Sequence, residues 1–358
     1  MKKFEYMEKH GYEQLVFFHD ESTGLKGITC IHNTTLGPSL GGTRLWNYDD
    51  EEEATLDVLR LARGMTYKAA CAGLNLGGGK SVLIGDPEKV KSEAYFRAFG
   101  RYVQTLGGRY ITAPDVNTDV KAMKYINMET DHVVAIPEKS GNPSPATAWG
   151  AFHGIRASLK EKYGDNDISK YSYAVQGAGQ TGDYLIGYLL EAGAEKIYFT
   201  EINEKHIEKI NDKYPSVEFV KPESICELDV DVFAPCALGA VINDETVECL
   251  KAPIVAGTAN NVLEDEEKHG QALKDKGILY APDFVINAGG LINVSHELHP
   301  EGYNREKAFN EIESIHDRIL DIYKVARDND THTQEAAKIF ARNRIEEIGR
   351  IQSNTINR

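Results

Sequence analysis

A glycine-rich turn between two apolar runs, within residues 172–201, constrains the fold of this chain most. An apolar strand-like run precedes the turn, and an amphipathic segment and a second strand-like run ending in Glu201 follow it. The turn consists of Gly177, Ala178, Gly179, Gln180, Thr181 and Gly182. Two spaced glycines permit a tight turn and the close approach of a pyrophosphate, and the third lets the helix pack against its strand. This order predicts a dinucleotide-binding βαβ unit, with a purely structural strand-to-helix turn as the alternative.

Glu201 predicts which dinucleotide binds. A carboxylate at the end of the second strand accepts hydrogen bonds from both adenosine-ribose hydroxyls and repels a 2′-phosphate, so it favours NAD over NADP. Ile202 follows it, and we expect this side chain beneath the adenine. The alternative is that Glu201 is an exposed acid at a strand end.

Length, charge and cysteine content exclude several classes of protein. The 358 residues suffice for two domains, and 55 acidic against 40 basic residues give a formal net charge of −15, which opposes binding to nucleic acid and anionic membranes. We see no signal-peptide pattern and no apolar stretch near the ~20 residues that span a bilayer. The cysteines are odd in number and form no CxxC pair, as in proteins of a reducing compartment. We therefore expect a cytoplasmic protein whose cysteines are mostly buried.

The pattern of apolar runs predicts an α/β chain of two domains with an interdomain cleft. Residues 1–136 alternate β-rich runs with helical segments, and we expect an α/β substrate and oligomerisation domain there. Turn residues in SGNPSPATA precede a helix at 149–163. Residues 137–329 carry the glycine-rich turn and further strand-like runs, so we expect a doubly wound, Rossmann-type NAD-binding domain. Helical periodicity near the end predicts that residues from about 330 to 358 return to the first domain.

Lys68 and Lys80 are the candidate catalytic cations of the first half. They lie in GMTYKAA and LNLGGGKSV, in apolar or glycine-rich surroundings that normally exclude a charged amine. A lysine that is desolvated near a second cation loses its proton more readily, so one of the pair can act as a base while the other binds an anion. The alternative for each is a surface lysine whose stem lies on apolar neighbours.

Asp115 is the candidate catalytic carboxylate. It follows a strand-like run in TAPDVNTD, where a loop can present it to a cleft; a capping or turn aspartate is the alternative, and that is the role we expect of Asp119. Glycines recur at Gly41, Gly42 and 77–79, where backbone can approach a small ligand, with flexible loops as the alternative. Because the sequence lacks HExxH, EF-hand and Walker motifs, and its histidines have no ligand spacing, we expect neither a metal nor a nucleoside triphosphate.

A set of segments spread through nearly the whole chain carries a family pattern. The segments are LGPSLGGTR, RLARGMTYK, GLNLGGGKSVLIGDP, SGNPSP, FAPCALGA, AGTANN and APDFVINAGGLIN. Together and in this order they resemble the glutamate/leucine/phenylalanine/valine dehydrogenase family, most closely its leucine dehydrogenase branch. The resemblance implies reversible oxidative deamination of an L-amino acid to a 2-oxo acid and ammonia, with NAD as the hydride acceptor. It also implies a homo-oligomer, an octamer in this branch.

The resemblance also implies roles for individual residues. It makes Lys68 the ligand of the substrate α-carboxylate, Lys80 the general base, and Asp115 the proton relay during imine hydrolysis. It places at the substrate Gly41, Gly42, Met65 and Asn260. It assigns cofactor contacts to the turn 177–182, Glu201 and Ile202, and further to Arg44, Thr147, Ala237, Asn260 and Asn287.

Four apolar positions match the family's pocket for the substrate side chain. They are Leu40, Ala113, Leu291 and Val294. None can pair with a carboxylate, and an unpaired buried glutamate carboxylate would cost several kcal/mol, so we exclude glutamate as a substrate. A methylene group is worth only ~1–3 kcal/mol in such a pocket, so we expect leucine, valine and isoleucine all to be used.

Two departures from the branch's pattern bear on these expectations. Leu291 is bulkier than the valine of leucine-specific relatives, and Gly182 replaces a larger or alanine-like residue. Phenylalanine needs more room than Leu40 and Leu291 leave, but an aromatic amino-acid dehydrogenase remains the first alternative. A catalytically silent regulator that binds NAD or an amino acid is the second.

Overall fold

The computed structural model describes residues 2–237 and 239–356, which form two compact units. The first unit comprises the segment that ends at Asn142, Val294–Asn304 and the segment that begins at Ala341. The second comprises Pro143–Asn293 and Arg305–Phe340. The division at 142/143 lies six residues beyond the predicted boundary at 136/137, and the return at 340/341 lies beyond the predicted position near 330.

A mixed five-stranded sheet organises the first unit. Its strands are β1 (Gln14–Asp20), β2 (Leu25–Asn33), β3 (Ser39–Trp46), β4 (Gly77–Ile84) and β5 (Tyr110–Pro114). The order is β1-β2-β4-β3-β5; β2 is antiparallel to both of its neighbours, whereas β3 is parallel to β4 and β5. The helices of this part are α1 (Lys3–His10), α2 (Glu51–Cys71), α3 (Pro87–Val90), α4 (Glu93–Thr105) and α5 (Val120–Asn127).

Helix α2 forms where its sequence predicts it. The Asp50 carboxylate accepts hydrogen bonds from the backbone N–H groups of Glu52 and Glu53, and three glutamates in the first turn complement the helix dipole. Apolar residues at helical spacing, including Val58 and Leu59, are fully buried in a core that also contains residues of β2 and β4.

A parallel six-stranded sheet organises the second unit. Its strands are β6 (Ser172–Gln176), β7 (Lys196–Thr200), β8 (Glu218–Phe219), β9 (Val232–Pro235), β10 (Ile254–Val255) and β11 (Leu279–Tyr280). The order is β11-β10-β9-β6-β7-β8, and all neighbouring pairs are parallel. This is the strand order of a dinucleotide-binding sheet, in which the winding reverses between β6 and β9. The predicted two-domain α/β fold with a Rossmann-type second domain is confirmed.

Ten further helices complete the described elements of the chain, and the last of them ends in the first unit. The helices are α6 (Ser144–Tyr163), α7 (Gln180–Glu191), α8 (Glu204–Lys213), α9 (Asp244–Cys249), α10 (Glu266–Asp275), α11 (Asp283–Ile286), α12 (Gly289–Ser295), α13 (Arg305–Ile312), α14 (Ile315–Asp328) and α15 (Thr333–Ile356). Short 3₁₀ turns occupy Ile168–Lys170, Pro222–Glu227 and His296–Leu298. Within the described residues, no helix has both the length and the apolar character needed to cross a membrane.

Two local expectations need correction. The glycines at 41–42 and 77–79 lie inside β3 and β4, so the flexible-loop alternative is wrong. The helix predicted at 149–163 begins at Ser144, because Pro143 takes the cap position and Pro145 the first turn, where a missing N–H costs nothing. The five cysteines are free thiols, three of them buried, as expected.

Candidate active site

Glycines allow β3, β4 and α2 to approach unusually closely. A Cβ atom added to Gly78 would lie 2.1 Å from the backbone nitrogen of Thr66 on α2. A Cβ atom added to Gly41 would lie 1.8 Å from the carbonyl oxygen of Gly79 and 3.3 Å from the Met65 Cγ. These glycines therefore serve contacts within the chain itself, which bring together the elements that carry Met65, Lys68 and Lys80.

Lys80 and Asp115 form an ion pair in which the lysine is buried and the aspartate side chain is 22% exposed. Lys80 projects from β4 and is only 5% exposed. Its Nζ lies 3.2 Å from the Asp115 Oδ1, and Asp115 directly follows β5. The surface-lysine alternative for Lys80 is therefore wrong, because this amine is held inside the unit by a carboxylate.

Arg44 extends this pair into a line of charges. Its Nε lies 3.0 Å from the second carboxylate oxygen of Asp115, and its Nη1 lies 3.1 Å from the Asp57 Oδ2. The Tyr48 hydroxyl donates a 2.6 Å hydrogen bond to the same Asp57 oxygen. Arg44, a predicted cofactor ligand, thus lies beside the predicted catalytic residues of the first unit.

The surroundings of Asp115 fix its charge. Burial acts to raise the pKa of this carboxyl group, but the attraction of Lys80 and Arg44 outweighs burial and holds the pKa below its usual value. Asp115 is therefore a carboxylate at neutral pH, able to accept a proton and to hold Lys80 in place. Asp119 has the capping role expected of it, because its carboxylate accepts from the Ala122 N–H at the start of α5.

Asp57 and Tyr48 are the polar residues that sequence reasoning missed. Asp57 lies on α2, eight residues before Met65 and eleven before Lys68. Such separations place side chains on one face of a helix, so the spacing held a usable signal. Tyr48 carried no comparable signal, because its contact with Asp57 depends on how the chain enters α2.

The predicted side-chain pocket residues are all buried. In the first unit Leu40, Ala113 and Val294 are each at most 8% exposed, and in the second unit Leu291 is 6% exposed. Among the remaining predicted substrate ligands, Met65 and Lys68 on α2 are half-buried and Asn260 is exposed.

The glycine-rich turn connects β6 to α7 at the point where the winding of the second sheet reverses. Gly177 has a φ of +92°, and a Cβ added there would lie 2.6 Å from the Ala237 Cβ. A Cβ on Gly182, in the first turn of α7, would lie 2.0 Å from the Gly177 carbonyl oxygen. A Cβ on Gly179 would meet nothing within 4 Å. The first and third glycines are thus required by packing, while the second leaves open space where a pyrophosphate is expected.

Other predicted cofactor residues lie around the same edge of the sheet. The Asn287 side chain donates to the Asn260 Oδ1 at 2.8 Å, and the hydroxyl groups of Thr181 and Thr258 are 2.7 Å apart. Thr147 lies on α6, with its Oγ1 2.7 Å from the position of a Cβ on Gly290. The structure thus brings residues from separate loops of the second unit to the carboxyl ends of β6, β9 and β10.

Glu201 and Ile202 follow the carboxyl end of β7. The Glu201 Oε1 accepts hydrogen bonds from the N–H groups of Ile202 at 2.8 Å and Asn203 at 3.2 Å. These bonds orient the carboxylate at the strand end. Ile202 is 88% exposed. The open glycine turn and the oriented acid together fit a dinucleotide. In the described residues, no cluster of three or more His, Cys, Asp or Glu side chains could hold a metal ion.

Two family profiles match the chain. One, described as "Glu/Leu/Phe/Val dehydrogenase, dimerisation domain", covers residues 12–132. The other, described as "Glutamate/Leucine/Phenylalanine/Valine dehydrogenase", covers residues 195–352. The chain belongs to the glutamate/leucine/phenylalanine/valine dehydrogenase family. As a member of this family it is an amino-acid dehydrogenase, an oxidoreductase that acts on a CH–NH₂ donor.

Individual family members match nearly the full chain. A leucine dehydrogenase from Thermoactinomyces intermedius is 52% identical over 99% of this chain and 96% of its own length. A leucine dehydrogenase from Geobacillus stearothermophilus is 51% identical over the same shares. The crystal structure of L-tryptophan dehydrogenase from Nostoc punctiforme superposes with a TM-score of 0.86 at 43% identity, covering 97% of this chain and 99% of that one.

Proposed function

We propose that the chain catalyses the reversible NAD-dependent oxidative deamination of the branched-chain L-amino acids leucine, valine and isoleucine to 2-oxo acids and ammonia. The ion pair of the buried Lys80 with Asp115, beside Arg44, carries the chemical part of this proposal. The similarity to leucine dehydrogenases at 52% and 51% identity supports the substrate class.

Residues of the first unit perform the binding and proton transfers. Lys68 on α2 holds the substrate α-carboxylate, so that the amino group points toward Lys80. NAD⁺, when bound, supplies the acceptor for the hydride that leaves the substrate Cα. Lys80 first passes its proton to the Asp115 carboxylate, which leaves a neutral amine. Hydride loss from the substrate amine gives an iminium ion, whose carbon is attacked by water while the neutral Lys80 amine accepts the water proton. Asp115 then passes its proton to the departing nitrogen, and as ammonia leaves, the hydroxyl proton of the intermediate passes to the Asp115 carboxylate and the 2-oxo acid forms.

The cofactor preference follows from the second unit. Glu201, oriented by two backbone N–H groups, accepts hydrogen bonds from the adenosine ribose and repels a 2′-phosphate. The turn 177–182 receives the pyrophosphate, and Thr147, Ala237, Asn260 and Asn287 complete the site together with Ile202. Arg44 of the first unit is a further proposed cofactor ligand.

Substrate selection follows from the apolar character of positions 40, 113, 291 and 294. Each is buried, and none offers a charge to the carboxylate of a glutamate side chain. Discrimination among aliphatic substrates is small, since a methylene group is worth ~1–3 kcal/mol. A tryptophan dehydrogenase shares 43% identity with the chain, so aromatic 2-oxo acids are the competing substrates to test.

The deciding experiment is NADH oxidation in the presence of ammonia and a panel of 2-oxo acids. We expect 4-methyl-2-oxopentanoate and 3-methyl-2-oxobutanoate to give the highest kcat/KM and 2-oxoglutarate to give none. Faster turnover of phenylpyruvate or indolepyruvate would identify an aromatic amino-acid dehydrogenase. Binding of NADH without turnover of any substrate would identify a silent regulator.

We also propose that the chain assembles as a homo-oligomer, an octamer by its resemblance to the leucine dehydrogenase branch. The "dimerisation domain" description of the profile on residues 12–132 supports self-association. Sedimentation equilibrium measures the subunit number, and a monomer would contradict both statements.

A further inference from the structure

The Asp115 carboxylate must be placed within reach of Lys80, yet it lies on a connection rather than in a strand. Strand β5 ends at Pro114, and the connection passes through Asp115 to the start of α5 at Val120. A loop residue lacks the ladder of backbone hydrogen bonds that fixes the orientation of a residue within a strand. Some other contact must therefore hold the backbone of Asp115.

Thr118 supplies that contact, because its hydroxyl group both donates and accepts a hydrogen bond. Its Oγ1 donates a 2.6 Å hydrogen bond to the carbonyl oxygen of Thr43 on β3. The same oxygen accepts a 2.9 Å hydrogen bond from the backbone N–H of Asp115. Thr118 is only 7% exposed, so water does not readily replace either bond. One hydroxyl group thus ties the backbone of Asp115 to the strand that also carries Arg44.

Two further bonds hold the same connection against β3. The Val116 carbonyl oxygen accepts from the Leu45 N–H at 3.1 Å, and the Asn117 side chain donates to the Leu45 carbonyl oxygen at 3.0 Å. Asn117 has a φ of +58°, a conformation that asparagine adopts more readily than most residues. These bonds attach the middle of the connection. The backbone of Asp115 itself is bonded to Thr118, whose Oγ1 accepts from the Asp115 N–H and whose backbone N–H donates to the Asp115 carbonyl oxygen at 3.0 Å. Of these two bonds, the one to the hydroxyl group continues to β3, through the Thr43 carbonyl oxygen.

We infer that Thr118 is a positioning residue for catalysis, which acts by holding Asp115 against Lys80 and Arg44. This inference rests on the proposed function, because it gives Asp115 a part in proton transfer. A displacement of about 1 Å at a catalytic group can cost roughly 100-fold in rate. Loss of the hydroxyl group should therefore lower turnover strongly even in a protein that stays folded.

Replacement of Thr118 by valine and by serine tests the inference. Thr118→Val keeps the shape and removes the hydroxyl group, whereas Thr118→Ser keeps the hydroxyl group and removes a methyl group. We expect Thr118→Val to lower kcat roughly 10- to 100-fold with little change in the KM for NADH. We expect Thr118→Ser to retain a kcat close to that of the unaltered enzyme.

Thr55→Val is the matched control. Thr55 is buried like Thr118, and its hydroxyl group donates to the Glu51 carbonyl oxygen at 2.6 Å, a bond within α2 itself. It should leave kcat unchanged. Thermal unfolding of all variants reports their stability.

Each outcome decides for or against the inference. A normal kcat in Thr118→Val, or equal losses in the valine and serine variants, would overturn it. If Thr118→Val fails to fold, the serine variant decides alone, because a folded protein with low kcat would show that the hydroxyl group is insufficient. Inactivity of the unaltered chain toward all 2-oxo acids would instead contradict the proposed function.

Discussion

At the scale of single residues, burial sets Lys80 apart from the other lysines in the described part of the chain. Lys80 is held inside the first unit by Asp115 at 3.2 Å, and Asp115 is shared with Arg44. A buried pair of this kind is weak evidence for stability, because desolvation of both charges opposes their attraction. Turnover is therefore a better property than stability for judging substitutions of this pair.

The first prediction concerns Lys80→Ala. Because loss of a general base removes roughly 10²- to 10⁴-fold of rate, turnover should fall by that amount while NADH binding is retained. NADH fluorescence measures binding, and the change in absorbance at the nicotinamide band measures turnover. Lys26→Ala, at an exposed position on β2, is the control and should turn over normally. Near-normal activity of Lys80→Ala would exclude Lys80 as the base.

The second prediction concerns Glu201→Ser. Removing the acid removes repulsion of a 2′-phosphate and two hydrogen bonds to the ribose, so the NAD over NADP preference in kcat/KM should fall roughly 10- to 100-fold. Steady-state kinetics with both cofactors measures it. Glu204→Ser, at an exposed acid in the first turn of α8, should leave the preference intact. An unchanged preference in Glu201→Ser would show that this acid does not read the ribose.

Sequence patterns identified Lys80, Asp115 and Glu201 as candidates because each stands in an unusual local context. Asp57 and Tyr48 were missed because neither stands in an unusual local context, although the helical spacing of Asp57 from Met65 and Lys68 was a usable signal. Their relation to Arg44 exists only after α2 packs beside β3. A sequence pattern identifies residues whose local context is unusual for their type. Residues that become partners through tertiary packing need have no such context.

At the scale of elements, the glycine-rich strands show where pattern reading is weakest. Glycine is depleted in strands, so GGGKS and LGGTR suggested loops as readily as strands. The structure resolves this through close contact, since Gly78 lies against Thr66 of α2 and Gly41 lies against Gly79 of β4. A glycine inside a strand marks such an approach, but sequence alone does not say what approaches.

The third prediction concerns the carboxyl end of α2, the helix that carries Met65 and Lys68. The Arg344 guanidinium of α15 donates to the carbonyl oxygens of Leu74 at 2.7 Å and Gly73 at 3.0 Å, just beyond that end. Because these are charge-assisted bonds at a helix C-terminus, Arg344→Gln should lower the free energy of unfolding by about 1–3 kcal/mol.

Urea unfolding measures the effect of Arg344→Gln. Arg350→Gln, at a 78% exposed side chain of the same helix, is the control and should change stability by less than about 0.5 kcal/mol. Equal effects of the two substitutions would mean that the contact of α15 with the end of α2 adds no stability.

At the scale of the whole molecule, the chain crosses between its two units more often than the sequence suggested. The short segment Val294–Asn304 returns to the first unit, where the buried Glu297 carboxylate accepts from the Ala135 N–H at 3.0 Å and the Ser140 N–H at 3.2 Å. No local pattern could predict this return, because the contacts join residues more than 150 positions apart. The parallel, doubly wound character of the second unit, by contrast, was predicted from local βαβ signals.

A buried histidine in each unit gives the whole molecule a common response to acid. In the first unit the His32 ring nitrogens lie 2.8 Å from the Thr66 Oγ1 and 3.1 Å from the His10 carbonyl oxygen. In the second unit His153 packs edge-on against Trp149, with ring centroids 4.5 Å apart. Burial is the main cause that lowers the pKa of each to about 4.

The last prediction is the pH dependence of unfolding. Between pH 6.5 and about 4 the unfolded chain binds a proton at each of these histidines that the folded chain does not, so stability is lost as the pH falls. Each should contribute a slope of about 1.4 kcal/mol per pH unit in the free energy of unfolding. Urea unfolding between pH 6.5 and 5 measures this slope in a range that lies above the pH at which most carboxyl groups titrate. His32→Gln and His153→Phe should each flatten it, whereas His19→Gln, at an exposed position, should not. If His32→Gln and His153→Phe both keep the full slope, other groups take up the protons that cause the loss of stability in acid. The burial of these two histidines as neutral rings would then not be its cause.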